Sequence, residues 1–591
     1  RKKEEKIQIL FGLFENRKKF ERNLLTDAFS GAIMLTIIKT AEKETSTLRF
    51  RSGRRGHGLR AARRNPAGER TLRSRCADRA APAAPRRIRF TRVKGSRGCR
   101  VMAAGSNLGG TAGVLCLFPS RACARDVFLL AGDFAPEGMR TQNGAPREKI
   151  GGIAMKTITG EIKKGEHTRS DVLAMQEGAC AHVHGIVHTL RDLGDVRFML
   201  LRMPQGVLQC VLTDREADVR EADAVKVEGC VRRDGRAPGG AELHVQSVQV
   251  LARAAGALPV PIGKNRMNLS LSSDLSLRFV TLRNLRKRAV FKIQEGVVRG
   301  FRQALLEEGF TEIHSPKIVA QNAEGGANLF RMEYFGRRAY LAQSPQFYKQ
   351  AMVPVYERVF EVGPVFRAEK HNTPRHLNEY TSLDFEMGFI DGFEDVMQME
   401  AAVLQRIMQV LESDYAPQLD LLGVKLPQVS SIPAVRFDEA KQRVSERYHR
   451  PIRDPFDLEP EEEQLISRLF EEKSGSEFVF VTHYPSRKRP FYAADDPQDP
   501  RYTLSFDLLF RGMEVTTGGQ RIHDYREQVD KMKRRGMNPE DFAGYLTLHR
   551  CGTCPHGGLG MGLERFTARL LGLDNVRMAC LFPRDQQRLD P

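Results

Sequence analysis

Between residues 363 and 387 the chain reads GPVFRAEKHNTPRHLNEYTSLDFEM, where cations and carboxylates crowd between two alternating apolar runs. Strand periodicity puts Phe360, Val362 and Phe366 on one face and Glu361, Gly363 and Arg367 on the other. After the loop, Leu383, Phe385, Met387 and Phe389 repeat an apolar face and leave Asp384 and Glu386 opposite. The two runs predict an antiparallel hairpin with one apolar and one ionic face. Taken alone, such alternation describes a solvated charged surface. Three further stretches point to a ligand instead. EVTTGGQR at 514–521 joins a carboxylate, a hydroxyl three residues on, two glycines and an arginine. A carboxylate beside a hydroxyl can hold Mg2+ bound to phosphates, and glycine lets a ligand reach the backbone. HGGLGMGLERF sets glycines directly before a helix with Arg565 in its first turn, and FTEIHSPKIV follows a long amphipathic segment. HGGLGMG matches neither the GK[ST] phosphate loop nor a strand-borne dinucleotide fingerprint, so the signal lies in the order and spacing of the stretches together.

The elements that must position these residues can be read from the same pattern. LRKRAVFKIQEGVVRGFRQALLEEGF has apolar residues at three and four spacing and stops at Gly309, which predicts a helix. Strand and helix signals then alternate to a C-terminal amphipathic helix, GLERFTARLLGL, giving a large mixed α+β domain over 286–591. Upstream, ACAHVHGIVHTLRDLGDVRFMLLRMPQGVLQCVLT, DAVKVEGCVRR and AELHVQSVQVLARA read as about five short strands, the content of a small oligonucleotide-binding (OB) barrel over 155–257. LPVPIGKN begins a Pro/Gly hinge over 258–285.

The net charge of +20 suggests a nucleic-acid partner, but its distribution removes the argument. Residues 1–154 hold 33 Lys and Arg against 13 Asp and Glu, the whole excess, and the totals of 93 and 73 leave 60 of each sign beyond. Any nucleic-acid site in the remainder must therefore be local. The arginine-rich RFRSGRRGHGLRAARRNPAGERTLRSR shows neither helical nor strand period. Residues 1–154 are read as a disordered or non-native extension lying outside the working protein, with translation starting at Met155. The other reading is a basic arm that adds non-specific RNA affinity. Ten cysteines without framework spacing suit a reducing cytoplasm, and no apolar run approaches a membrane span. CGTC at 551–554 has no second CxxC or His pair to complete four metal ligands, so it is read as structural.

FTEIHSPKIV, the FRAE loop ending RHLNEYTSLDFEM, and GLGMGLER resemble motifs one, two and three of class II aminoacyl-tRNA synthetases. EGGANLF at 324–330, QSPQFYKQ at 343–350 and GGQRIHD at 518–524 narrow the resemblance to the archaeal/eukaryotic aspartyl-tRNA synthetases. It covers residues 155–591 nearly throughout and leaves 1–154 outside. The resemblance implies an antiparallel catalytic sheet flanked by helices, with ATP and Mg2+ as cofactors. Arg367 would meet the α-phosphate, Glu369 would lie near the adenine, Arg375 and His376 would cover the outer phosphates, and Ala368 and Leu377 would also line the ATP site. Gly562, Leu563, Glu564 and Arg565 would complete the ATP site, with Arg565 on the γ-phosphate, and Glu514 and Thr517 would hold the metal. Thr517 departs from the usual serine but keeps the hydroxyl. Lys349 and Arg521 would bind the side-chain carboxylate of L-aspartate, and Glu324, Gln346, Asp384, Arg367 and Thr517 would line the rest of its pocket. A buried cationic pair would reject asparagine, whose amide leaves it uncompensated.

On the barrel, Phe198 matches an aromatic that stacks on an anticodon base and Gln209 a base-contacting amide; core packing is the alternative for Phe198. His188 and Pro238 resemble the subset that charges both tRNA-Asp and tRNA-Asn, which implies an amidotransferase downstream. Pro316 belongs to the motif that builds a homodimer interface in this family. The rivals are a synthetase restricted to tRNA-Asp, an asparaginyl-tRNA synthetase, which Lys349 argues against, and a non-catalytic RNA-binding paralogue.

Overall fold

The computed structural model describes residues 160, 166–213, 218–321 and 329–591, together with five short strands before them. It divides into two compact units, Arg1–Lys156 and Thr157–Pro591. In the first, Thr91–Arg92, Val101–Ala103 and Val114–Cys116 form a small antiparallel sheet, and Lys149–Ile150 pairs with Ile153–Ala154. The expectations for residues 1–154 otherwise fall outside the described residues.

The second unit opens with a closed barrel of β1 (Cys180–Leu193), β2 (Val196–Met203), β3 (Gly206–Leu212), β4 (Ala224–Arg233) and β5 (Ala241–Ala252), ordered β5-β3-β2-β1-β4. Period-two alternation builds it: Val225, Val227 and Val231 of β4 and Val183 and Val187 of β1 all point into one core. The alternation breaks at His188, an extra residue between the Val187–Leu201 and Thr189–Leu200 pairs. Such a bulge turns its side chain away from the regular face. The segment after the barrel is not a loose hinge. Ile262 is buried, and the Asn284 amide donates to the carbonyls of Ile262 and Lys264, both at 2.8 Å. The same Asn284 caps α1 (Leu285–Glu307) by accepting from the Arg286 and Lys287 amides. One residue therefore ties the linker to the start of the catalytic helix.

The chain continues through β6 (Thr311–Glu312), a small sheet of β7 (Ile318–Val319), β8 (Arg331–Tyr334) and β9 (Arg337–Leu341), and α2 (Gln346–Tyr356). The predicted hairpin follows as β10 (Arg358–Phe366) and β11 (Glu379–Gly388), antiparallel from Arg358–Met387 to Phe366–Glu379. Phe389 lies past its end, 72% exposed at a φ of 57°, so it does not extend the apolar face. Then come α3 (Phe393–Asp414), β12 (Ala434–Arg436), α4 (Pro460–Ser474), β13 (Phe478–Thr482), β14 (Ser505–Phe510), β15 (Met513–Arg521), β16 (His556–Gly562) and α5 (Leu563–Leu570). The eight-stranded sheet is ordered β6-β10-β11-β16-β15-β14-β13-β12, antiparallel except at its two edge pairs. Strand β16, late in the chain, thus lies between β11 and β15 and brings all three motif regions side by side.

α1 and α3 pack on one face of this sheet. Phe360, Leu383, Phe385, Phe506 and Leu508 meet Ile293, Val297, Phe301, Leu404 and Ile407 there, all fully buried. Close approach of the two helices requires Gly300, where a Cβ would lie 2.7 Å from the Ile407 Cα. Leu563, Phe566 and Leu570 of α5 join this same core, and the opposite face, where the ionic residues alternate, is covered by α2, α4 and the loops.

Candidate active site

The ionic face of the hairpin is buried, not solvated. Asp384 is 2% exposed and Glu386 fully enclosed. A buried carboxylate persists ionised only when cations and donors replace its water. Helix α2 supplies them: Lys349 Nζ lies 3.0 Å from Asp384 Oδ1 and 3.3 Å from Glu386 Oε2, and donates to the Leu559 carbonyl at 2.7 Å. From β15, Arg521 Nε donates to Glu386 Oε1 at 2.8 Å and its Nη2 to the Gly558 carbonyl at 2.8 Å. Gln346 Nε2 reaches Glu386 Oε2 at 3.4 Å. Burial pushes the Glu386 carboxyl up, yet Arg521 and Lys349 hold it below its ordinary value. Lys349, Arg521, Gln346 and Asp384 are thereby brought into one pocket.

Glu386 changes the charge argument. The expectation that Lys349 and Arg521 wait uncompensated for a substrate carboxylate does not hold, because Glu386 bridges both cations and Asp384 pairs with Lys349. The fixed charges of these four groups sum to zero. Sequence reasoning placed Glu386 on the correct face and gave it no role; its position two residues from Asp384 on that face was the signal. Glu324 lies outside the described residues.

The glycines of HGGLGMG serve these carboxylates. They lie in β16 rather than in a loop, with Gly560 opposite Asp384 and Gly558 opposite Glu386. A Cβ at Gly558 would sit 2.2 Å from the Phe385 carbonyl oxygen and 2.3 Å from Glu386 Oε2. Leu559 and Met561 between them point into the core, fully buried.

Arg367 begins the loop joining β10 to β11. Its guanidinium lies 5.9 Å from the Tyr380 ring centroid, and its carbonyl accepts from Asn378 Nδ2 at 2.8 Å. Asn378 also donates to the Glu369 carbonyl at 3.2 Å, so one amide fixes the turn that carries Ala368 and Glu369. Arg375 pairs with Glu463 of α4, whose Oε2 also accepts from the Glu514 amide at 2.9 Å. Burial raises the Glu463 carboxyl to about 7, with Arg375 opposing. Glu463 falls in PEEEQL, which reads only as an acidic helix start, so nothing in the sequence marked it. His376 Nδ1 lies 2.6 Å from the Thr373 hydroxyl, and burial together with Arg565 lowers its pKa. Leu377 is buried against Ala568, Val576 and Ala579.

Glu514, Thr517 and Arg565 do converge. Thr517 Oγ1 lies 3.1 Å from Glu514 Oε1 and 2.8 Å from Asp507 Oδ1, with its single proton free to go to either. Arg565, in the first turn of α5, lies 3.6 Å from Glu514 Oε2 and donates to the Glu514 and Arg375 carbonyls at 3.3 Å. Gly562 caps that helix and Leu563 is buried. Glu564 turns back to accept from the Thr381 amide at 3.1 Å, and burial raises its carboxyl to about 7. Asp507, a lone carboxylate in the apolar strand SFDLLF, was the readable sign of a further site residue. Burial raises it to about 6, with Arg489 at 2.7 Å opposing. Burial pushes Glu514 up too, but Arg565 and Arg489 hold it low. Two carboxylates and a hydroxyl make an all-oxygen set suited to a hard ion such as Mg2+.

At the front of the sheet, Glu361 accepts from the Ser315 amide and hydroxyl at 3.1 and 2.6 Å and from Lys317 at 2.7 Å, which clamps the residues either side of exposed Pro316. On the barrel, Phe198 is half-buried, on the opposite side of β2 from fully buried Met199. Gln209 donates to Glu242 Oε2 at 2.8 Å, and Glu242 Oε1 lies 2.8 Å from His244 Nε2. His188 is 2% exposed, 3.4 Å from Arg202 Nη1, which donates on to the Arg283 carbonyl. Burial and the nearby arginines lower the His188 pKa to about 4, which keeps the ring neutral. It faces the junction with the catalytic half and has no open ring face. Pro238 is half-exposed, its carbonyl held by Arg169 at 3.2 Å. His188, being enclosed, does not share an exposed surface with Phe198 and Gln209.

Comparison with known proteins matches residues 270–586 to the family described as tRNA synthetases class II (D, K and N). The chain is 48% identical over 440 residues to the aspartate–tRNA(Asp/Asn) ligase of Deinococcus radiodurans, covering 73% of this chain and 100% of that protein. It is 47% identical over 408 residues to the ligase of the same name from Thermus thermophilus, covering 69% and 96%. Among solved structures, asparaginyl-tRNA synthetase from Pyrococcus horikoshii complexed with asparaginyl-adenylate superposes with a TM-score of 0.66 at 32% identity, over 73% of this chain and 100% of that one. Aspartyl tRNA synthetase from Entamoeba histolytica gives 0.65 at 27%, over 74% and 96%. The family match takes in every strand of the eight-stranded sheet and the helix that follows it, and the relatives are spanned along nearly their whole length: the chain belongs to the class II tRNA synthetases (D, K and N).

Proposed function

We propose that the protein is an aspartate–tRNA ligase that activates L-aspartate with ATP and charges both tRNA-Asp and tRNA-Asn. What supports this is the buried cluster of Lys349 and Arg521 with Asp384 and Glu386, on the same sheet whose strand β15 and following helix α5 carry Glu514, Thr517 and Arg565. The substrate's α-carboxylate, already ionised, attacks the α-phosphorus of ATP; the mixed anhydride forms and the bond to pyrophosphate breaks. No general base is demanded, so catalysis reduces to positioning and charge neutralisation. Arg367 takes the α-phosphate, Arg565 the outer phosphates, and Arg375 joins them by exchanging Glu463 for phosphate. Glu514 and Thr517, with Asp507, hold Mg2+, which supplies charge neutralisation at the phosphates. A ribose hydroxyl at the tRNA terminus then attacks the anhydride carbonyl and AMP leaves.

In this reading the five-stranded barrel is an OB fold that takes the anticodon loop, with the Phe198 ring stacking on a base and Gln209 reading an edge. Both relatives near half identity carry the name for dual tRNA charging. His188, packed into its bulge, favours relaxed reading by leaving no larger ring there rather than by touching a base. The aspartylated tRNA-Asn would pass to an amidotransferase. A homodimer is supported by exposed Pro316 next to Ile318, 45% exposed, in the sheet that also carries the exposed Phe335. No described helix is long and apolar enough to cross a membrane.

Purified protein is expected to aspartylate transcripts of both tRNAs and to support pyrophosphate exchange with aspartate. Exchange driven by asparagine instead would install the asparaginyl reading, and charging of tRNA-Asp alone would remove the dual specificity. Arg367→Ala should lower exchange by at least about 10²–10³-fold while the fold is kept.

A further inference from the structure

The outer wall of the barrel holds a second group of reactive side chains that aminoacylation leaves unused. Antiparallel pairing of β1 and β4 sets Cys180 opposite Cys230 and His182 opposite Glu228. Ala181 between the first two points into the core, so alternation sends Cys180 and His182 to the same outer face as Glu228 and Cys230. Cys180 Sγ lies 4.0 Å from His182 Nε2 and 3.9 Å from Glu228 Oε1, and His182 Nδ1 lies 4.0 Å from that same oxygen. Among the described residues this is the one group of three donors gathered within 4.8 Å.

Those separations approach what a single ion requires. With metal–sulfur bonds of about 2.3 Å and metal–nitrogen or –oxygen bonds of about 2.0–2.1 Å, tetrahedral geometry puts donors roughly 3.3–3.6 Å apart. The two contacts of His182 run through different ring nitrogens and one ion takes only one of them, so the three donors, one atom from each residue within 4.8 Å of one another, must close by up to roughly 1.5 Å, a side-chain rotation open to half-exposed residues. The donors are also oriented from behind. His167 stacks on the His182 ring, with centroids 6.2 Å apart and planes at 19°, and accepts from the His182 amide at 3.0 Å. Ser247 Oγ donates to Glu228 Oε2 at 3.4 Å and leaves Oε1 turned toward the thiol.

We propose that Cys180, His182 and Glu228 form a surface site for a zinc-class divalent cation, with water in the fourth position. A thiolate and an imidazole select a borderline-soft ion over Mg2+ or Ca2+, so the site is chemically distinct from the all-oxygen group at Glu514. Ligation transfers the Cys180 thiol proton to solvent. Because Cys180 is exposed, the ion enters without any opening of the barrel.

The test is titration of the reduced, metal-free full chain with Co2+ under anaerobic conditions. A sulfur-to-cobalt charge-transfer band with tetrahedral ligand-field absorption, saturating at one ion per chain and displaced by Zn2+, is expected. Cys180→Ser should abolish the band, and His182→Ala should weaken binding by more than the roughly 10–100-fold that supporting partners contribute. Cys551→Ser and Cys554→Ser should leave it unchanged. A band that survives Cys180→Ser but is lost in the Cys551 and Cys554 variants would overturn the assignment. So would the absence of any band. Cys180 is exposed, so its serine variant is expected to fold, and an unchanged circular dichroism spectrum checks that.

Discussion

Glu386 sits where the charges of the pocket cancel. Replacing it by glutamine keeps its shape but leaves Lys349 and Arg521 buried with one counter-charge fewer. Breaking a buried pair from one side is the costly direction, so Glu386→Gln is expected to lose about 3–5 kcal/mol of stability. Denaturant unfolding of the two proteins measures this, and a loss below about 1 kcal/mol would mean that the cations find other partners. A second carboxyl gives a pH-dependent prediction. Glu400 of α3 is fully buried, and burial raises it to about 8, the Thr516 hydroxyl nearby opposing only in part. A carboxyl raised in the folded state stabilises below its unfolded pKa, and that contribution is lost as pH rises through the folded value. Stability should therefore fall from about pH 5 to about pH 8, by up to about 1.4 kcal/mol per pH unit from this group. Glu400→Gln should flatten the profile over that range; parallel urea-denaturation profiles for the two proteins would show that Glu400 does not control it.

At the scale of elements, β16 is the strand that cannot be altered freely. Gly558→Ala drives a methyl into the Phe385 carbonyl, and backbone in the middle of an eight-stranded sheet cannot give way. Overpacking of this kind costs about 1–3 kcal/mol or more. Gly562→Ala, four residues on, meets nothing nearer than the Arg565 side chain at 3.7 Å and should melt like the parent. Thermal unfolding of both variants checks the contrast. The same strand shows what could be read in the sequence. Its glycines were visible as a run before a helix, but not as the partners of Asp384 and Glu386, which lie some 170 residues away and are joined to them only by the sheet order. The β10–β11 hairpin was legible since local alternation fixes it. The barrel strands were legible for the same reason, except at His188, where a bulge overrides the period. Asp507, a lone carboxylate in an apolar strand, left a readable sign, whereas Glu463, in an acidic helix start, is set apart only by its tertiary placement beside Arg375.

On the scale of the whole molecule, the surplus of positive charge and the chemistry belong to different stretches of chain. Every core described in Thr157–Pro591 is closed by residues of that unit, and the 60 cations and 60 carboxylates beyond residue 154 balance. If the arginine-rich extension contributes nothing to RNA binding, a chain beginning at Met155 should bind tRNA with the same salt dependence as the full chain. Each phosphate that the extension neutralises would instead steepen the slope of log K against log salt by about 0.7–0.9. Filter binding of tRNA-Asp by the two chains across a salt series separates these outcomes. Equal slopes and equal charging rates are expected, since recognition then rests on the barrel and the sheet alone. A steeper slope for the full chain would assign the extension a place in tRNA capture, with Phe198 and Gln209 reading a tRNA already held by non-specific charge.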